Sequence, residues 1–211
     1  MEGAQKNLET EIPHWDFDRT RQELNSIWEQ RLSQVTVQTN NRNDKEKFYG
    51  ALYRASFLPR TFNDVDGRYP SFSTGHPFRQ SANGRNYYED YSMWDTYRAL
   101  HPLINILTPK KAGDMMQSLV DKYEQGGWLP IFPCWNSYTA AMIGDHCISA
   151  LGDAYIKGIR NFDINKACEG MLRNAFKTPS TYEEYKNGMG RRALNSYLKY
   201  GYIPLEDSVP E

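Results

Sequence analysis

Thr108-Pro109-Lys110-Lys111-Ala112-Gly113-Asp114-Met115-Met116-Gln117-Ser118-Leu119-Val120-Asp121-Lys122-Tyr123-Glu124-Gln125-Gly126-Gly127 carries both a start and a stop signal for a helix. Thr108 is placed to cap it. Pro109 falls at the first helical position, where its missing N–H has no intrahelical partner to lose. Gly126-Gly127 closes it. The stretch therefore predicts one helix from Thr108 to Gln125. Working outward, the helical period of apolar residues recurs almost throughout. Upstream, Tyr91–Leu107 reads as a helix interrupted or bent at Pro102. Asp44–Phe57 reads as another, with Phe48, Leu52 and Ala55 on its apolar side and Leu58-Pro59 ending it. His14–Val35 carries Leu24, Ile27, Trp28, Leu32 and Val35 on one stripe, with Asp16 or Asp18 as cap. Downstream, helices are expected at Asp145–Ile159, capped by Asp145, at Ile164–Phe176, capped by Asp163, and at Gly190–Tyr200, stopped by Gly201. Thr36–Thr39 alternates weakly and reads as a short strand or a linker.

Two long irregular stretches separate these helices. Arg60–Asn86 is rich in Gly, Pro, Asn, Asp and Ser and predicts a long loop with one hairpin, with Gly67 and Asn83-Gly84 as turn signals. A loop of that length in a compact domain is usually functional. Trp128–Gly144, with Pro130 and Pro133, is the second. Helix pairs joined alternately by short turns and long aromatic loops are the rhythm of stacked αα-hairpins. No exact repeat is present, which favours a closed barrel of dissimilar hairpins over an open solenoid. The expected fold class is all-α, a partial (α/α)6 toroid with a small β element. Six helix pairs need about 12 helices of ordinary length. Fewer are read here, so an incomplete domain is expected.

Composition narrows the function. The chain has 211 residues with 39% hydrophobic and 24% charged, as in a globular protein. Net charge is -1, so no basic field favours nucleic acid or a membrane surface. No apolar run is long enough to span a bilayer, and the polar segment Met1–Glu11 is not a secretory signal. The aromatic fraction of 14%, with 15 Tyr and 5 Trp, stands out. Such rings stack on the apolar faces of sugars or fill helix seams. Cys134, Cys147 and Cys168 are odd in number and widely spaced, and are expected as buried thiols rather than a disulfide framework or zinc site.

Four constellations could carry chemistry. Asp64-Val65-Asp66-Gly67-Arg68 places two carboxylates beside a glycine, either for a hard cation or as a turn with local pairing. Trp94-Asp95-Thr96-Tyr97-Arg98 offers a ring to stack on a sugar and a carboxylate to accept hydroxyls, with Arg98 three residues on to orient Asp95. A surface ion pair beside a buried Trp is the competing reading. Gly126–Thr139 gathers Trp128, Phe132, Trp135 and Tyr138 in an irregular loop, as a ligand surface or a core plug. Met142-Ile143-Gly144-Asp145-His146 holds an Asp–His pair, or a plain cap beside a satisfied histidine. No nucleophile elbow or phosphate cradle is present.

At these residues the chain resembles the catalytic domain of glycoside hydrolase family 92, the calcium-dependent exo-acting α-mannosidases. The matching stretches are Phe48–Tyr53, Asp64–Tyr69, Trp94-Asp95-Thr96 through His101-Pro102, Tyr123–Pro130, and Met142–His146 with Asp153–Ile159. They occur in the family's order and spacing. The resemblance implies a preceding β-sandwich domain, linker helices over residues 1–40, and an (α/α)6 catalytic domain from about residue 41 to 211 and beyond. It implies inverting hydrolysis of terminal α-mannose from glycans, with an acid and a base carboxylate roughly 6.5–9.5 Å apart, assisted by calcium. By the family's order those carboxylates fall after residue 211, and the calcium ligands are expected outside this chain. It marks Asp95 as the leading sugar-binding residue, followed by Trp94, Arg98, Trp128, Asp145 and His146. It implies a mannose-containing glycan and the remainder of its own domain as partners, and a periplasmic, cell-surface or secreted location. The chain departs from the family where a Glu-Thr pair is common: here stand Tyr138-Thr139, a change expected to alter subsite recognition.

Two further readings compete with a piece of an active mannosidase. One is a non-catalytic glycan-binding helical module, the other a scaffold without ligand. The chain alone is expected to hydrolyse no mannoside.

Overall fold

The helix expected from Thr108 forms as α6, Pro109–Gly126. It stops because Gly127 adopts φ +86°, a left-handed conformation open to glycine, and returns its N–H to the Tyr123 carbonyl at 2.7 Å. Thr108 occupies the cap position, but its hydroxyl donates backward to the Ile104 carbonyl instead of capping α6. The computed structural model describes residues 2–72, 75–142 and 144–207. Ile143 of the Met142-Ile143-Gly144 motif lies outside the described residues.

The chain divides into two compact units, Met1–Leu58 with Asp64–Asp66, and Pro59–Asn63 with Gly67–Glu211. The second is organised around α6, which packs against α5 (Leu100–Leu107), α7 (His146–Ile156) and α8 (Ile164–Phe176). It also packs against the short strand β4 (Tyr88–Glu89). Buried residues run nearly all round α6, from Ala112 to Val120 and on to Lys122 and Tyr123, as a central helix requires. Met116, Leu119 and Val120 meet Leu151, Ala150 and Ala154 of α7, Tyr91, Met93 and Leu129 in one apolar cluster. Asp163 caps α8 by accepting the Lys166 N–H at 2.9 Å, as its position predicts.

Four expectations for this unit change. Tyr91–Leu107 is two helices, α4 (Met93–Thr96) and α5, broken at Tyr97–Ala99. Pro102 is tolerated as the third residue of α5, but its ring excludes a helical carbonyl at Arg98, so the break precedes the proline. Arg60–Asn86 holds more pairing than one hairpin. β2 (Arg68–Pro70) pairs with β3 (Phe78–Gln80), and β1 (Arg60–Thr61) pairs antiparallel with β4 across the whole loop. A short helix α9 (Tyr182–Lys186), capped by Thr181, precedes α10, which begins at Leu194 rather than Gly190. Of the thiols, only Cys147 is buried; Cys134 is half-buried and Cys168 exposed, and all three are free.

In the first unit α1 (Glu2–Glu11), α2 (Phe17–Leu32) and α3 (Arg42–Arg54) form as helices. Asp16, not Asp18, caps α2 by accepting the Arg19 N–H at 3.0 Å. Trp28, Tyr53 and Phe57 hold α2 to α3, with ring centroids 4.4 Å and 4.8 Å apart in succession. Thr36–Thr39 is not a strand. The neighbouring backbone groups are taken by a side chain, since the Tyr49 hydroxyl donates to the Val35 carbonyl and accepts the Val37 N–H.

The fold is therefore mostly helical, with small strand pairs confined to the loop region.

Candidate functional site

β4 and the residues after it set up the site. Lys122 and Glu89, both fully buried, form an ion pair at 2.7 Å under the rings of Phe72, Tyr87 and Tyr91. Lys122 also donates to the Tyr88 carbonyl at 2.6 Å, so α6 grips β4 from below. Burial pushes the Glu89 carboxyl up and the Lys122 ammonium down, while each partner opposes the shift of the other. Three residues after Glu89, Ser92 adopts φ +43° and redirects the chain into α4. A non-glycine residue in that conformation costs about 1–3 kcal/mol and persists only where its surroundings hold it. Here the Thr96 hydroxyl donates to the Tyr91 carbonyl at 2.9 Å, and the Asp95 and Thr96 N–H groups both donate to the Ser92 carbonyl. The result sends Tyr91 and Met93 into the core and leaves Trp94 and Asp95 outside.

On that exposed surface the structure brings together four of the six sequence-chosen residues. The Trp94 ring is 43% exposed and meets His146 edge-on at 5.5 Å. His146 lies flat on Tyr97, with centroids 4.1 Å apart and an interplanar angle of 7°. The Arg98 guanidinium sits 5.0 Å from the centroids of both Trp94 and Tyr97. Asp95 accepts the Ser92 hydroxyl on Oδ2 at 2.7 Å. The Ser92 hydroxyl lies 3.7 Å from the Met142 sulfur.

The expected Asp95–Arg98 pairing does not form. The helix breaks before Arg98, so the i, i+3 geometry is lost, and the guanidinium stacks on rings instead. Ser92, not Arg98, orients Asp95. Tyr97 and Ser92 were missed from sequence because neither follows an apolar period. Their signal was only adjacency to Trp94-Asp95.

Asp145 and Trp128 belong to a more buried network beside this cluster. Asp145 stands at the cap position of α7 but does not cap it. Its carboxylate accepts Arg191 Nε at 2.8 Å and Asn174 Nδ2 at 3.4 Å. Asn174, buried, also accepts the Leu129 N–H and donates to the Leu129 carbonyl, fixing the start of the 128–144 loop. Trp128 is 2% exposed and lies under the Arg173 guanidinium at 4.4 Å. Tyr138 turns inward. Its hydroxyl donates to the Trp128 carbonyl at 2.7 Å and accepts the Trp128 N–H at 3.1 Å. It fits because Gly126 has no side chain: a Cβ there would lie 2.3 Å from the phenol oxygen.

The carboxylates weighed as cation ligands are otherwise engaged. Asp66 pairs with Lys6 at 3.2 Å and Asp64 accepts Asn7 Nδ2 at 2.7 Å. Among the described residues no group of three or more His, Cys, Asp or Glu side chains is placed to hold a metal ion. No helix of the described residues is long and apolar enough to cross a membrane.

Residues 3–210 match the Glycosyl hydrolase family 92 catalytic domain. The chain belongs to that family. A family 92 α-mannosidase from Bacteroides thetaiotaomicron superimposes with a TM-score of 0.87 at 30% identity, over 99% of this chain and 26% of that one. That enzyme is also known in complex with mannoimidazole. An inverting mannosidase of family 92 from Bacteroides thetaiotaomicron VPI-5482 matches with a TM-score of 0.86 at 27% identity, over 98% of this chain and 27% of that one. An uncharacterized secreted glycosidase of Arthroderma benhamiae is 26% identical over 97% of this chain and 22% of its own length. The chain thus spans about a quarter of the length of these relatives.

Proposed function

We propose that this chain forms the first part of a helical catalytic domain, an (α/α)6 toroid, that removes terminal α-linked mannose from glycans. The observation that carries it is the outward-facing Trp94–Asp95 pair, held in place by the strained Ser92 turn, in a family 92 chain whose structural relative binds mannoimidazole. Trp94 offers an exposed ring to the apolar face of a mannose. Asp95, with Oδ2 held by Ser92, presents Oδ1 to a sugar hydroxyl. His146, stacked on Tyr97, fixes the far side of the Trp94 ring system. Asp145, Asn174 and Trp128 act one layer below, holding the loop and the start of α7 that carry His146.

The reaction in this reading is inverting hydrolysis assisted by calcium. Its acid and base carboxylates and the cation's ligands are assigned to the parts of the relatives that this chain does not match, and a β-sandwich domain is assigned before residue 1. A secreted, periplasmic or cell-surface setting accords with the secreted fungal relative. Methyl α-mannoside titrated into the chain by calorimetry tests the sugar contact. Asp95→Ala should weaken binding at least about tenfold, the loss of one or two hydrogen bonds to a charged acceptor. Unchanged affinity in that variant would overturn the assignment.

A further inference from the structure

The turn Cys134-Trp135-Asn136-Ser137 is built against its own sequence. Cys134 and Ser137 exchange backbone hydrogen bonds at 3.2 Å and 3.1 Å. Between them Trp135 has φ +52° and Asn136 φ +56°. Two positive φ angles across a two-residue connection make a type I′ turn, which ordinarily takes Asn-Gly. A tryptophan in the first of these positions is strained by about 1–3 kcal/mol.

Several contacts impose the strain. Asp90 Oδ1 accepts the Trp135 N–H at 3.3 Å, and the Cys134 thiol donates to the same carboxylate. Arg60 holds Asp90 in turn, its Nε donating at 2.6 Å. Burial raises the Asp90 carboxyl, but Arg60, Cys134 and the Trp135 N–H outweigh it and keep it below the usual carboxylate range. On the other side Asn136 Nδ2 donates to the Ser71 and Pro70 carbonyls at 2.8 Å and 3.0 Å. The indole so positioned is 82% exposed, so the strain does not serve packing of the ring. The turn buries Asn136 against the 70–71 backbone and leaves the Trp135 indole in solvent.

The same turn, through Asn136 and Ser137 rather than through Trp135 itself, walls a cavity of about 430 Å³ whose other lining includes Phe72, His76, Gln125 and Tyr138. Among the described residues no Asp, Glu, Lys or Arg lines it. Aromatic faces mixed with amide, hydroxyl and imidazole groups, with no carboxylate, ammonium or guanidinium, suit a neutral sugar. We propose that Trp135 is a stacking platform for a neutral pyranose ring of the glycan, a second sugar contact in addition to Trp94. The proposal rests on the reading of the ligand as a glycan.

The test follows the indole N–H resonances of Trp94 and Trp135 in the 15N-labelled chain, titrated with an α-linked mannobioside. Both resonances should move. Trp135→Asn, a residue that tolerates positive φ, should keep or raise the melting temperature and weaken mannobioside binding about fivefold, the worth of one stacked ring. Movement of Trp94 with a still Trp135 overturns the platform and leaves the Asp95 reading standing. Movement of Trp135 alone supports the platform and removes Asp95 from the site. Two still indoles overturn both. Should Trp135→Asn fail to fold, the wild-type indole titration decides by itself.

Discussion

Replacing Lys122 by Met should be the most damaging single change in the helical unit. Nζ lies 2.7 Å from the Glu89 carboxylate and 2.6 Å from the Tyr88 carbonyl, with the Tyr87 ring centroid at 3.9 Å. Both partners are at 0% side-chain exposure, so neither charge can turn to water. Removing one member of such a pair strands the other, at a cost of about 3–5 kcal/mol. The Tyr88 carbonyl loses its donor as well, adding about 1 kcal/mol. Lys122→Met is therefore expected to lose about 4–6 kcal/mol, a large part of the stability of an ordinary domain. Glu89→Gln should lose less, because Lys122 keeps the Tyr88 carbonyl and three ring faces. The double variant Lys122→Met, Glu89→Gln should be at least about 2 kcal/mol more stable than the sum of the single losses predicts, since no charge is left buried. Urea unfolding of all four proteins at pH 7, followed by circular dichroism, measures the cycle. Single losses below about 1 kcal/mol, or strict additivity, would refute the buried pair as the anchor of β4.

His101 is 1% exposed and stacked against Tyr91, and burial pulls its pKa from 6.5 down to about 4. The folded state thus binds its proton later than the unfolded chain. Stability from this site is complete above pH 6.5 and drains away as pH falls from there toward 4, by about 3 kcal/mol in all. His101→Phe should flatten that acid limb; an unchanged limb in thermal melts from pH 7 to 4 would show that other groups set it. Two glycines should respond oppositely to alanine. At Gly188 (φ +83°) a Cβ would stand 2.2 Å from the Thr139 carbonyl oxygen, so Gly188→Ala should lose at least about 2 kcal/mol. At Gly152, inside α7 with nothing within 4 Å, Gly152→Ala should gain about 0.5–1 kcal/mol. Melting temperatures of the two variants moving in the same direction would contradict the packing described.

Punctuation was the most legible layer of the sequence. Asp163 capping α8, Pro109 and Gly127 bounding α6 and Gly201 stopping α10 are read from single residues, because each acts on backbone groups one turn away. Even there a cap position did not guarantee a cap: Thr108 and Asp145 bond elsewhere because Ile104, Arg191 and Asn174 offer them other partners. The β1–β4 pair escaped detection because its two strands are two residues long and their partners are far apart in sequence, Arg60 with Glu89 and Thr61 with Tyr88.

In the site, Trp94, Asp95, Arg98 and His146 were legible as motif residues, but their mutual arrangement was not. The sequence alone determined a mostly helical chain, the boundaries that single capping or stopping residues mark, and the family to which its ordered motifs point. Those properties follow from local backbone chemistry and from residue order. Tertiary structure alone decided that Ser92 rather than Arg98 holds Asp95, that His146 stacks on Tyr97, that Trp128 is buried and that Trp135 stands in solvent. Each of these depends on which side of a strained turn a side chain leaves the backbone, and that choice is imposed by partners such as Lys122 and Asp90 that lie far away in sequence.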